Sequence, residues 1–293
     1  MSDTRTANQR LSARAGRVSE PLLVVDSYAK GLSIGKTSQV QESGLLLQVE
    51  GEKGTTIPLR SRYVMHNGEP LKDLERHLER LSVRGELRRT TVVFGVTTDP
   101  FHPFDEKFAT SMRFLELFER FVPGRLVIQT RSPLVVIGLP VLKKMKAATS
   151  VMIGLETPLE EVRARYTPDL PSVDERLKTV RALRRFGLKV GIQVAPILPY
   201  GDWRRDAEPF AELLNQSADY VVVRSVVQAS GASRPTTALA RRLAADRQFF
   251  CLRQDSHRPL LEALCGVAEE KLVHPAEQEL GEKQMRLFAT CQE

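Results

Sequence analysis

Cysteine is scarce in this sequence: three residues in 293, at Cys251, Cys265 and Cys291. Their intervals are wide and their number is odd, whereas disulfide scaffolds and zinc sites use short paired spacings. A cysteine-stapled domain is therefore excluded, and all three are expected to be reduced thiols. Aromatic residues are also few, at 6% with a single tryptophan, and no interleaved basic and aromatic pattern marks a base-stacking surface. Long apolar runs are missing: none approaches the roughly 20 residues that a membrane helix requires. Met1–Ser19 is polar, carries Arg5, Arg10, Arg14 and Arg17, and lacks the apolar core of a signal peptide. A cytoplasmic protein with no membrane partner is the expectation.

The composition that remains, 42% apolar and 27% charged, is that of a globular chain long enough to bury a large core. A formal charge of +7, from 43 basic against 36 acidic residues, tilts the protein toward anionic partners, nucleic acid among them. Basic clusters at Arg84/Arg88/Arg89, Lys143/Lys144/Lys146, Arg181/Arg184/Arg185 and Arg241/Arg242 read as the solvated faces of amphipathic helices.

Residues 1–20 read as a flexible basic arm. The apolar run Leu22–Val25 suits a first strand and leads into a Gly- and Ser-rich loop, Asp26–Ser38. A β-hairpin insertion is expected near 45–60, where Gly51-Glu52-Lys53-Gly54 separates two strand-like runs. Leu71, Leu74, Leu78 and Leu81 recur at helical spacing. Next comes the stretch V-V-F-G-V-T-T-D-P-F-H-P-F-D-E (92–106), an apolar strand that gives way to short polar residues and is stopped by Pro100. Phe108, Met112, Leu115 and Phe118 mark a helix ended by Pro123-Gly124. Strands are then expected at Leu126–Gln129, Val151–Leu155, Val190–Val194 and Tyr220–Val223, with helical pieces between them.

Alternation of this kind predicts a parallel sheet with right-handed crossovers. The fold class is α/β: one domain over 21–225 and a helical C-terminal extension over 226–293. In such folds the ligand sits at the C-terminal ends of the strands. That rim carries Thr97, Thr98, Asp99, His102, Arg131, Ser132, Glu156, Gln193 and Arg224. Asp99 before Pro100 also suits a cap. Thr157-Pro158-Leu159-Glu160 has the form of a capping box, which would leave Glu156 no special task. Gly31–Ser38 superficially has the look of a phosphate-binding G-x-x-x-x-G-K-[ST] loop, but Lys30 stands where its first glycine is required.

Four segments in order, G-V-T-T-D-P-F-H-P (95–103), Q-T-R-S-P-L-V (129–135), V-M-I-G-L-E-T (151–157) and R-A-L-R-R-F-G-L-K-V-G-I-Q-V-A-P-I-L-P (181–199), resemble the spore photoproduct lyase-like branch of the radical S-adenosylmethionine (SAM) superfamily. The resemblance covers roughly residues 60–225. It implies a six-stranded partial TIM barrel. It also implies a [4Fe–4S] cluster on three cysteines spaced C-x-x-x-C-x-x-C after the first strand, with SAM chelated to the open iron. Aligning the family's tyrosine with Tyr28 places those cysteines on Gly31, Gly35 and Ser38. Glycine offers no ligand atom, and serine is a poor substitute for a thiolate. Val96 stands where the lyase has its hydrogen-donor cysteine, and Gly154 where it has a serine that contacts SAM. Thr97 and Asp99 are retained, and Arg131 replaces a SAM-contacting lysine.

The expectation is thus a divergent radical SAM fold without a [4Fe–4S] cluster and with no catalytic or metal-ligating residue. It would act as a ligand-binding or partner protein through Thr97, Thr98, Asp99, Arg131, Glu156 and Gln193. SAM is compatible with that rim. The alternative is an active enzyme of the same type that works on nucleic acid with other cluster ligands.

Overall fold

The computed structural model describes residues 22–25, 70–95, 99–101, 105–226 and 238–267. The N-terminal arm, the hairpin expected near 45–60, Gly31, Gly35, Ser38, Thr97, Thr98 and His102 all lie outside the described residues.

Five strands form a parallel sheet in chain order: β2 (Thr91–Phe94), β3 (Arg125–Thr130), β4 (Thr149–Gly154), β5 (Lys189–Val194) and β6 (Tyr220–Val223). Strand β1 (Leu22–Val25) pairs in parallel with β2, with Leu22 opposite Thr91. Among the described residues eight α-helices accompany them: α1 (Pro70–Val83), α2 (Asp105–Arg120), α3 (Leu139–Lys144), α4 (Glu160–Tyr166), α5 (Val173–Arg185), α6 (Ala207–Ser217), α7 (Ala238–Ala245) and α8 (Arg258–Val267). No helix among the described residues is long and apolar enough to cross a membrane.

Strand side chains alternate between two faces. One face supplies Val92 and Phe94, Leu126 and Ile128, Val151 and Ile153, Val190 and Ile192, and Val221 and Val223 to a single apolar core shared with the helices. Leu74 and Leu78 of α1, Phe114 and Phe118 of α2, Leu183 of α5 and Leu214 of α6 close over it. Phe94 packs its ring 5.7 Å from those of both Phe114 and Phe118. The opposite face carries Val93, Val127, Gln129, Ser150, Met152, Gln193 and Tyr220, all buried but outside that core.

The C-terminal helices divide between two clusters. Leu260 and Leu264 of α8 join the main core. Leu243 of α7 and Cys251 form a smaller cluster with Tyr166 and with Leu198 of the loop after β5. Asp246 fastens α7 to α4, accepting from Arg165 and from the Tyr166 hydroxyl at 2.8 Å. Cys251 is free and buried, and burial pushes its thiol up to about 12. Cys265 corrects the expectation of reduced thiols throughout: it is disulfide-bonded.

Candidate functional site

Strand β2 is followed directly by Gly95, whose φ of 90° is a conformation L side chains rarely adopt. A Cβ there would also lie 2.5 Å from the Gln129 carbonyl and from Pro100. Glycine thus lets the chain leave β2 close against β3, which brings Asp99 to the C-terminal end of that strand. Asp99 spends its carboxylate on the backbone and on one hydroxyl. Oδ1 accepts from the Phe101 N–H (3.0 Å) and the Thr130 hydroxyl (2.6 Å), and Oδ2 accepts from the Arg131 N–H (2.6 Å). Asp99 thus closes its own turn, as its capping reading expects, and also fixes the residue that follows β3.

From that anchored backbone, Arg131 extends across β4. Gly154 makes this crossing available, because a Cβ at 154 would lie 2.8 Å from Arg131 Cγ and 3.0 Å from its Nε. Arg131 Nε donates to Glu156 Oε1, and Nη2 donates to the Ala195 carbonyl at 3.2 Å. On its other oxygen Glu156 accepts from Arg176 Nη1 at 2.7 Å, and the same nitrogen donates to the Gly154 carbonyl at 2.8 Å. The result is a chain of charge, Arg131–Glu156–Arg176, across the C-terminal ends of β3, β4 and β5.

These three side chains differ sharply in exposure: 30% for Arg131, 2% for Glu156 and 0% for Arg176. Burial alone would favour a neutral Glu156. The two guanidiniums outweigh it and hold the carboxyl below the usual glutamate range. Burial likewise opposes the charge on Arg131, and Glu156 more than restores it. Breaking a buried pair of this kind by removing one partner costs roughly 3–5 kcal/mol, because the remaining charge is stranded.

Arg176 is the site residue that sequence reasoning missed. It lies in the first turn of α5, whose start is set by a capping box between Ser172 and Glu175. The signal was present: Val173, Arg176, Val180 and Leu183 share one helical stripe, so an arginine occupies a core-facing position. The box expected at Thr157–Glu160 does not form. The Thr157 hydroxyl donates to the Pro199 carbonyl and accepts from the Leu159 N–H, while Glu160 accepts from the Val173 N–H and Arg163. Glu156 is therefore free of any capping role.

Gln193 of β5 sits opposite Gly154 in register, and Gln129 of β3 sits opposite Met152. Both are buried, and neither side-chain nitrogen has a partner. Ser132 caps the short 3-10 turn Pro133–Gly138 by accepting from the Leu134 N–H. The structure thus brings Asp99, Arg131 and Glu156 together, leaves Gln193 beside them, and adds Arg176.

A parallel α/β sheet with a charged network at the C-terminal ends of its strands is the class of architecture these observations define. No family model matches the chain. One relative is an uncharacterized protein, ORF301, of Acidianus two-tailed virus, 32% identical over 125 residues, covering 42% of this chain and 40% of the viral protein. Among solved structures, two mutants of spore photoproduct lyase, one with bound AdoMet and dinucleoside spore photoproduct, are similar at a TM-score of 0.44 and 20% identity. The match covers 60% of this chain and 50% of the lyase. The chain therefore spans about half the length of the lyase and about two fifths of the viral protein.

The described cysteines do not suit a [4Fe–4S] cluster. Thiolates are the ligands such a cluster needs. Cys251 is buried with its thiol pushed well above the ordinary range, and Cys265 is committed to a disulfide.

Proposed function

We propose that the protein is a binding or regulatory member of the radical SAM fold, an open six-stranded partial barrel that works without an iron–sulfur cluster. Its rim receives the anionic group of a small molecule through Arg131, with Asp99, Glu156 and Gln193 around it and Thr97 and Thr98 just before Asp99 in sequence. SAM is the reference candidate, since its carboxylate is the group an arginine fork would hold.

One observation carries this reading: two arginines and a glutamate are gathered at the strand ends with almost no solvent around two of them. Apolar side chains of similar volume would serve stability as well or better. Keeping the charges there fits a site that recognises charge. The identities of the described cysteines support the reading without a cluster. The net charge of +7 is compatible with a phosphate-bearing or nucleic-acid partner as well.

Isothermal titration of SAM into the wild-type chain and Arg131→Ala tests the assignment. Binding by the wild type that weakens about tenfold or more in the variant, as expected when a charge-assisted contact is lost, is the predicted outcome. Equal affinity would remove Arg131 from the site.

A further inference from the structure

Resting on the reading of the rim as an anion site, we infer that Glu156 is an internal competitor for Arg131, and that Arg176 is the positioning residue that lets Arg131 leave. In the described state only part of the guanidinium is open to a ligand, its side chain being 30% exposed. Its Nε is held by Glu156 and one Nη by the Ala195 carbonyl. An incoming carboxylate or phosphate gains the bidentate Nε edge of Arg131 only by displacing Glu156.

Four features make this exchange feasible. Asp99 grips the Arg131 backbone N–H and the Thr130 hydroxyl and acts on the guanidinium only through its charge, so the side chain can swing from a fixed base. Arg131 is the one member of the triad with appreciable solvent reach, at 30% side-chain exposure. When it swings away, Glu156 is not stranded, because Arg176 still holds its other oxygen and is itself tied to the Gly154 carbonyl. Finally, Nε and Nη2 of Arg176 are buried without partners. They are spare donors that can take up the oxygen Arg131 releases, turning a one-nitrogen contact into a bidentate one.

Gly154 is the other half of the device. The docked arginine fills the space where a Cβ would stand. A methyl there expels Arg131 and leaves both Glu156 and Arg176 in place. Docking lowers the apparent affinity for a ligand by the fraction of molecules in which Arg131 is undocked. Gly154→Ala should therefore bind more tightly than wild type.

The test uses the full chain labelled with 15N-arginine. The Arg131 Nε–H signal, assigned by its disappearance in Arg131→Lys, is followed for solvent exchange. It should be protected in wild type and exchange rapidly in Gly154→Ala and in Glu156→Gln. Gly154→Ala guards against the chance that Glu156→Gln fails to fold. Titrations with SAM and, separately, inorganic phosphate should then show Gly154→Ala binding one of them at least about tenfold more tightly than wild type. Which probe gains tells a carboxylate site from a phosphate site. Equal exchange in wild type and Gly154→Ala overturns the latch. Binding that is equal in the two proteins overturns the competition. Protection that follows the expected pattern, with neither probe bound by any variant, overturns the anion-site reading itself and the exchange with it.

Discussion

At the scale of the residue, Glu156 decides more than any other side chain. Its ordinary value is 4.5, and in the folded protein it lies lower, against burial, because Arg131 and Arg176 flank it. A depressed folded value means the unfolded chain takes up protons first as pH falls. The stabilisation is thus complete above about 4.5 and is lost as pH drops through the folded value. Glu156→Gln should cost roughly 3–5 kcal/mol at neutral pH by stranding Arg176. The gap from wild type should narrow as the medium is acidified below about 4.5. Urea melts of both proteins between neutral pH and pH of about 3 would measure it, and a gap that stays constant would refute the charged triad. None of this was legible from the glutamate alone. Glu156 precedes a Thr-x-x-Glu pattern, and its partners come from residues 25 and 20 positions along the chain.

Elements were easier to read, because hydrophobic periodicity is a local signal. The runs Val92–Val96, Leu126–Gln129, Val151–Leu155, Val190–Val194 and Tyr220–Val223 fall on β2 to β6, with ends displaced by no more than two residues. Where local rules failed, a tertiary partner had intervened. Thr157 was expected to cap a helix, yet its hydroxyl donates to Pro199 on the loop after β5 and α4 begins at Glu160. The working capping box lies at Ser172 and Glu175, with the Ser172 hydroxyl accepting from the Glu175 N–H at 3.2 Å. That box sets the first turn of α5, so it also places Arg176. Ser172→Ala should destabilise the protein by about 1 kcal/mol. It should also loosen the Glu156–Arg176 contact, seen as weaker exchange protection of the Arg176 guanidinium. A loss of stability with unchanged protection would separate the cap from the site.

At the scale of the whole molecule, the alternation of strands and helices pointed to the parallel sheet and to its C-terminal strand ends as the candidate rim, and short motifs resembled those of the radical SAM superfamily. Two things stayed hidden because they depend on distant contacts: the arginine on the buried stripe of α5, and the disulfide at Cys265. Polar strand ends that look like a ligand rim prove, in the folded chain, to be engaged with one another. Arg131 is already engaged by Glu156 before any ligand arrives, which sets the exchange of Arg131 apart from simple occupation of an open pocket. The central claim, a SAM-type barrel that binds without a cluster, is tested most directly by anaerobic iron–sulfide reconstitution of the full chain, followed by SAM and dithionite. The account predicts no stoichiometric iron and no 5′-deoxyadenosine. A brown protein carrying about four irons per chain and releasing 5′-deoxyadenosine would contradict it.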